Sequence, residues 1–76
     1  MSAKEMFERL GYKQVNDDVN YLIYDLDGVF KLKFYKPQQD IEIEVIEDTY
    51  NTLDVEELQA INKQVEELGW LDVKNS

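Results

Sequence analysis

The residues of this sequence with the chemistry for a reaction are its carboxylates, because most of the usual catalytic side chains are missing or badly placed. There is no histidine and no cysteine, and the two serines, Ser2 and Ser76, stand at the ends of the chain. The sequence therefore lacks a general base that works near neutral pH, a thiolate nucleophile and the commonest transition-metal ligands. We expect a protein that is not an enzyme and has no cofactor and no metal. A small enzyme that uses carboxylates or tyrosine stays open as a weaker alternative.

Two short acidic segments have the composition of a cation site without its spacing. An EF-hand calcium loop ends with a glutamate at its twelfth position. The twelfth residue counted from Asp25 is Lys36, so Asp25-Leu26-Asp27-Gly28 does not begin such a loop. The adjacent aspartates at 17 and 18 stand among asparagines, and such residues bond their own backbone in turns. Both segments are better interpreted as turns.

The acidic charge of the chain excludes some partners and suggests others. Seventeen acidic residues against eight basic ones give a net charge of −9. Proteins that bind nucleic acids or anionic membranes normally present a basic surface, so we expect no direct nucleic-acid binding and no membrane binding. The charge can serve solubility alone. The alternative is an acidic inhibitor that mimics nucleic acid and blocks a host enzyme.

No segment of the sequence has the apolar run that membranes require. A membrane-spanning helix needs about 20 apolar residues, and the first residues, Met-Ser-Ala-Lys-Glu, lack the apolar core of a signal peptide. We expect a cytoplasmic protein of one domain, residues 1–76, whose residues 71–76 form a loose tail.

The two ends of the sequence predict helices with marked start and stop signals. Ser2 and Glu5 form a capping box before a helix over residues 3–10, and Gly11 is placed to end it. Asp54 and Glu57 form a second capping box before a helix over residues 55–68, which ends at Gly69. The predicted apolar stripe of this second helix is Leu58, Ile61, Val65 and Leu68.

Between the helices the sequence predicts strands, with Asp27-Gly28 at the centre of the strongest hairpin signal. These two residues favour a type I′ turn, in which both adopt positive φ. A two-residue turn places Leu26 opposite Val29, and alternation then assigns one face of the hairpin to the core. The residues of that predicted core face are Tyr21, Ile23, Phe30, Leu32 and Phe34.

A further strand, 41–45, follows the loop Lys36-Pro37-Gln38-Gln39 and alternates between apolar and acidic residues. A four-residue loop sets Lys33 opposite Glu42 and Lys31 opposite Glu44, so opposite charges meet across the strands and support this register. With a first short strand at 12–15, the predicted fold is α+β. It is a four-stranded antiparallel meander with a short N-terminal helix and a longer C-terminal helix on one face, in the order α-β-β-β-β-α.

The other face of the hairpin is more apolar than a solvated strand face should be. The same register places five residues there, and they form the predicted interaction surface: Leu22, Tyr24, Leu26, Val29 and Tyr35. Surfaces rich in tyrosine are typical of protein interfaces. The alternative is that these residues reflect strand propensity, with the stems of Lys31 and Lys33 lying over the rings.

Two stretches of the chain, Phe7-Glu8-Arg9-Leu10-Gly11-Tyr12 and the segment LQAINKQVEELGW at 58–70, resemble a family of small proteins encoded in prophages and phages of Gram-positive bacteria. The resemblance covers nearly the whole chain up to Trp70. It implies a small cytoplasmic protein from a mobile element in a bacterial host. It assigns neither an activity nor any site residue to this chain. Together with the apolar face, it favours a non-enzymatic module that binds a protein partner or forms a homodimer through the outer sheet face.

Overall fold

The fold is the predicted one, helix, four strands and helix. The computed structural model describes residues 1–48 and 51–71, and its elements are α1 (Ala3–Arg9), β1 (Lys13–Asp17), β2 (Tyr21–Leu26), β3 (Phe30–Tyr35), β4 (Asp40–Val45) and α2 (Val55–Glu67). The four strands form one antiparallel sheet in the order β1-β2-β3-β4, with both helices on one face. The predicted tail lies outside the described residues except for Leu71, which is in a turn.

Both helices begin and end as the sequence predicts. The Ser2 hydroxyl accepts a hydrogen bond from the Glu5 amide, and Asp54 and Glu57 repeat this arrangement at α2. Each helix then ends in a Schellman motif: the Tyr12 amide donates to the Phe7 carbonyl, and the Trp70 amide donates to the Val65 carbonyl. These bonds satisfy the backbone groups that a helix leaves unpaired at its ends.

The turn at Asp27-Gly28 is of the predicted type, but the predicted register of the hairpin is wrong by one residue. Asp27 and Gly28 have φ of 52° and 74°, and the Val29 amide donates to the Leu26 carbonyl at 2.9 Å. Leu26 nevertheless pairs with Phe30, so Val29 is the extra residue of a β-bulge. The Val29 carbonyl accepts from the amides of Ile46 and Glu47, which holds the bulge in place.

The bulge exchanges the two faces of β2, because a shift of one residue turns every side chain over. Tyr24 and Leu22 therefore lie in the core, whereas Tyr21 and Ile23 lie on the outer face of the sheet. The ring of Tyr24 stacks on that of Phe7 with centroids 4.1 Å apart. Its hydroxyl donates to the Gln64 side-chain oxygen at 2.7 Å, so the buried polar group is satisfied.

The register between β3 and β4 is confirmed. Phe34, Leu32 and Phe30 stand opposite Ile41, Ile43 and Val45, and the lysines of β3 stand opposite the glutamates of β4. The ion pair runs diagonally, from Lys33 Nζ to Glu44 Oε1 at 3.0 Å, while Glu42 accepts a hydrogen bond from the Tyr35 hydroxyl.

Helix α2 turns the predicted stripe toward the core except at Leu58, and it buries two further residues beside that stripe. Its most buried residues are Ala60 and Gln64, and Leu58 is half exposed. Ile61, Val65 and Leu68 pack against the core only in part. The helix is rotated because the Gln64 amide meets the Tyr24 hydroxyl and the small Ala60 allows close packing.

A second buried tyrosine connects the sheet to the start of α2. The Tyr12 hydroxyl donates to Glu57 Oε2 at 2.6 Å, and the other oxygen of that carboxylate accepts from the Asp54 amide. Burial, followed by the hydrogen bond to Glu57, raises the pKa of Tyr12 well above the ordinary tyrosine value. Burial also raises the pKa of Tyr24. Both hydroxyls therefore stay protonated in the folded protein far into the alkaline range.

The free energy of unfolding is expected to fall above about pH 10, because the unfolded chain releases these tyrosine protons first. A pKa raised by folding contributes stability that is complete below the unfolded value and is lost as the pH rises toward the folded value. The slope from Tyr12 is at most about 1.4 kcal/mol per pH unit. Urea unfolding at about pH 8 and about pH 11 measures the loss, and Tyr12→Phe should lessen it. An equal loss in the variant would contradict the assignment.

Among residues 1–48 and 51–71, no helix is long and apolar enough to cross a membrane.

Candidate interaction surface

The five residues of the predicted interaction surface do not share a face. Leu22 and Tyr24 are buried in the core, so their predicted exposure is wrong, and the bulge at Val29 is the physical reason. Leu26 and Val29 pack against the core and are partly buried. Tyr35 alone lies on the outer face, half buried, where its hydroxyl donates to Glu42.

The outer face of the sheet is a ladder of alternating charges with one aromatic pair. The rings of Tyr21 and Tyr35 meet edge to face, with centroids 5.8 Å apart. Lys31 stands between Asp25 on β2 and Glu44 on β4, whereas Lys33 stands between Ile23 and Glu42. Hydrogen bonding to Lys33 lowers the pKa of Glu44, so this carboxylate stays ionised at neutral pH. This face is therefore charged beside β4, and Tyr21, Ile23 and Tyr35 form a small, partly exposed apolar group next to those charges.

An apolar strip remains uncovered on the opposite face, the one that carries the helices. Ile41, Ile43 and Val45 are 39%, 46% and 41% exposed, and we call these three residues the β4 strip. Their partners across the ladder on β3 are almost completely buried. The boundary between covered and uncovered sheet therefore falls between β3 and β4.

The uncovered strip follows from the size and position of the helix layer. Helix α1 has seven residues, which span only about 10 Å, whereas the six residues of a strand span about 20 Å. From the helix side, the rings of Phe7 and Trp70 reach Phe34 on β3. Helix α2 lies toward the other edge, since its Glu57 and Gln64 bond Tyr12 and Tyr24.

The sequence indicates the face of the β4 strip but not its exposure. The alternation in 41–45 correctly placed its three aliphatic residues on the helix side of the sheet. The exposure of these side chains could have been predicted from the position of β4 as the last strand of a meander. Such a strand lies at the edge of the sheet, where the helix layer ends.

The backbone N–H and C=O groups of the β4 strip are directed at the free edge of the sheet. The Ile46 amide donates to the Val29 carbonyl, which marks 29 and 46 as a hydrogen-bonded pair. In an antiparallel ladder every second pair is of this kind, so residues 40, 42 and 44 bond β3. The N–H and C=O groups of the strip point to the free edge. Among the described residues no strand pairs with that edge.

The grooves between the helices offer less chemistry. One groove is lined by Met1, Met6, Arg9, Leu10, Glu56 and Gln59. It holds a single carboxylate, whereas paired acid and base catalysis needs two titratable groups with different roles. A second groove, lined by Met1, Glu5, Glu8 and Arg9, holds two carboxylates, of which Glu5 accepts the capping hydrogen bonds of Ser2. Within the described part of the chain, no three carboxylates lie close enough to hold a metal ion.

Comparison with known proteins adds no family to this geometry. No protein-family model, no curated protein and no solved structure matches the chain. Its function is therefore inferred from the residues that the structure describes.

Proposed function

We propose that this chain is a non-enzymatic protein-binding module of the cytoplasm, and that it binds its partner through the β4 strip. The observation that carries the proposal is the alignment of three exposed aliphatic side chains on one strand, next to a closed core. Burying the exposed part of each side chain against a partner should contribute about 1 kcal/mol to the free energy of binding. Contiguous apolar surface of this kind is typical of interaction sites.

The charge of the chain favours a protein partner. At −9 the molecule repels nucleic acids and anionic lipids, and the β4 strip is accompanied by acidic residues on the same strand. The resemblance to proteins encoded in prophages and phages points to a partner in the bacterial host or in the phage.

The alternative function, an acidic mimic of nucleic acid, has less support. A mimic needs a continuous row of carboxylates. On the outer face Lys31 and Lys33 stand opposite Glu44 and Glu42, Asp25 stands on the other side of Lys31, and Lys36 pairs with Asp17 at 2.8 Å. These pairs interrupt the row, so we prefer the protein-binding module.

The proposal is tested by changing the β4 strip without changing the core. Ile43→Lys places a charge in the strip and is expected to weaken partner binding by about tenfold or more, because the interface would bury an unpaired charge. Val19→Lys is the matched control, since Val19 is 83% exposed in the turn before β2. Both variants should keep the circular dichroism spectrum of the parent.

The measurement is affinity capture from a lysate of the source organism, followed by titration of the identified partner with the purified variants. The proposal predicts that the parent and Val19→Lys bind the partner equally and that Ile43→Lys does not. Equal binding by all three proteins, or no specific partner of the parent, contradicts the proposal.

Light scattering tests whether the partner is a second copy of the chain. We expect a monomer of 9.0 kDa at all concentrations. A doubled mass that returns to the monomer in Ile43→Lys would show that the β4 strip binds another copy. A doubled mass that persists in that variant would favour the homodimer through the outer sheet face.

A further inference from the structure

We propose that the partner presents an extended segment in which apolar residues alternate with lysine or arginine, and that this segment adds to the sheet as a fifth strand beside β4. The inference rests on the proposed function and names the chemistry of its partner. Three properties of β4 support it: an open backbone edge, apolar side chains on one face and acidic side chains on the other.

The open backbone edge supplies the pairing. Because residues 40, 42 and 44 bond β3, the N–H and C=O groups of Ile41, Ile43 and Val45 are the ones directed away from the sheet. An incoming antiparallel strand can exchange two hydrogen bonds with each of these three residues. Strand addition of this kind takes its affinity from the main chain and its specificity from alternate side chains.

The two edges of the sheet differ in the way that this proposal requires. Strand β1 has an irregularity between Gln14 and Asn16, and such bulges prevent further pairing. Strand β4 pairs with β3 at six consecutive residues without a break, and proline occurs only in the loop before it. Pairing with a new strand is therefore open at β4 and hindered at β1.

The side chains of β4 select the partner. On the helix side, residues opposite the β4 strip would extend the apolar surface. On the outer side, residues next to Glu42 and Glu44 would meet carboxylates, and opposite charges across strands are favourable. The chain already contains a strand of this composition, since β3 reads Phe-Lys-Leu-Lys-Phe-Tyr and occupies the other side of β4.

The same charges disfavour a second copy of this chain as the fifth strand. If two β4 strands met antiparallel around Ile43, Glu42 of each would stand opposite Glu44 of the other. Like charges directly opposite each other destabilise a ladder. The basic segment of another protein removes this repulsion.

The first test uses a synthetic peptide, Thr-Val-Lys-Val-Lys-Val-Thr with blocked ends, and assigned amide spectra of the full chain. We expect hydrogen exchange at the amides of the β4 strip to slow on binding, because these N–H groups gain partners. The same peptide with glutamate in place of lysine should bind about tenfold more weakly or worse.

Backbone methylation separates strand pairing from simple contact. Methylation of the three valine nitrogens removes the donors that face β4 and should weaken binding about tenfold or more. Methylation of the two lysine nitrogens is the matched control, because those donors face away from β4, and it should leave binding nearly unchanged. Equal effects of the two peptides would overturn strand addition.

A variant of the protein gives an independent test. Ile43→Pro replaces the side chain by a smaller apolar ring and removes an N–H that is directed at the free edge and does not bond β3, and proline is tolerated on an edge strand in that position. It should bind the peptide about tenfold more weakly or worse, whereas Ile43→Val, which keeps the N–H, should bind like the parent. If the proline variant does not fold, the two methylated peptides still test strand addition with the parent protein.

The outcomes distinguish this inference from the proposed function. If Ile43→Lys loses the natural partner and no basic peptide slows exchange at the β4 strip, the binding module stands and strand addition is overturned. If Ile43→Lys keeps the natural partner, the proposed function is overturned as well. A doubled mass without peptide, with slow exchange at the strip, would show a second copy at the edge and would also overturn the inference.

Discussion

Tyr24→Ala is expected to unfold the domain. The side chain of Tyr24 is 0% exposed, stacks on Phe7 and meets the edge of Phe34 with centroids 6.2 Å apart. Truncating a buried aromatic residue costs about 3–5 kcal/mol. It also leaves the Gln64 side chain buried without its hydroxyl partner, at a further cost of about 1–3 kcal/mol. A domain of this size has a total stability of about 3–5 kcal/mol.

Far-UV circular dichroism and urea unfolding measure this effect, and Tyr21→Ala is the control. Tyr21 is three residues earlier on the same strand, but it lies on the outer face and is 38% exposed. Its replacement should cost about 1 kcal/mol, because mainly the contact with Tyr35 is lost. The reverse order of the two effects would contradict the bulged register and favour the register predicted from the turn.

The second largest effect is expected for Glu57→Ala, with a loss of about 2–3 kcal/mol in the free energy of unfolding. One carboxylate oxygen caps α2 by accepting from the Asp54 amide, and the other accepts from the buried Tyr12 hydroxyl. Alanine removes the cap and leaves that hydroxyl without its partner. Urea unfolding at neutral pH measures the loss.

Glu5→Ala is the matched control for Glu57→Ala. Glu5 caps α1 in the same way, from the same position of a capping box, but it is exposed, and its hydrogen-bond partner within the described residues is Ser2. Its replacement should be clearly less harmful. A double-mutant cycle with Tyr12→Phe then isolates the bond between sheet and helix. Equal losses in the two alanine variants would show that the Tyr12 bond contributes nothing to stability.

The parts of the fold that were predictable from the sequence are those determined by neighbouring residues. Both capping boxes, both glycine-terminated helix ends and the positive φ angles at Asp27-Gly28 follow local rules. The register of β3 and β4 was also predictable, because apolar and charged residues alternate on both strands and only one alignment satisfies both faces.

The register of β2 was not predictable by these rules, because its cause is distant in sequence. The bulge is held by hydrogen bonds from Ile46 and Glu47 to the Val29 carbonyl, and a turn rule considers only the residues of the turn. Strand β2 reads Tyr-Leu-Ile-Tyr at 21–24, which is apolar on both faces. The hydrophobic pattern of these residues therefore could not distinguish the bulged register from the predicted one. Because side chains alternate, one misplaced residue displaced the whole predicted interaction surface.

The β4 strip was missed for a different reason. Its residues were assigned to the correct face, but the sequence does not say how far a helix layer extends across a sheet. That extent depends on the rotation of α2 about its axis, which the contact between Gln64 and Tyr24 determines. An apolar pattern does not include Gln64, although its side-chain oxygen accepts the hydrogen bond of a buried hydroxyl.

The extra residue at Val29 has a consequence for how such a protein can change over evolutionary time. Loss of one codon at this turn would remove the bulge and return the hairpin to the two-residue pairing. Because β2 is apolar on both sides, the other set of side chains would then be available to line the interior. A lineage could in this way exchange the interior and the surface of a strand by a single deletion, followed by substitutions at Asp25 and Gln64.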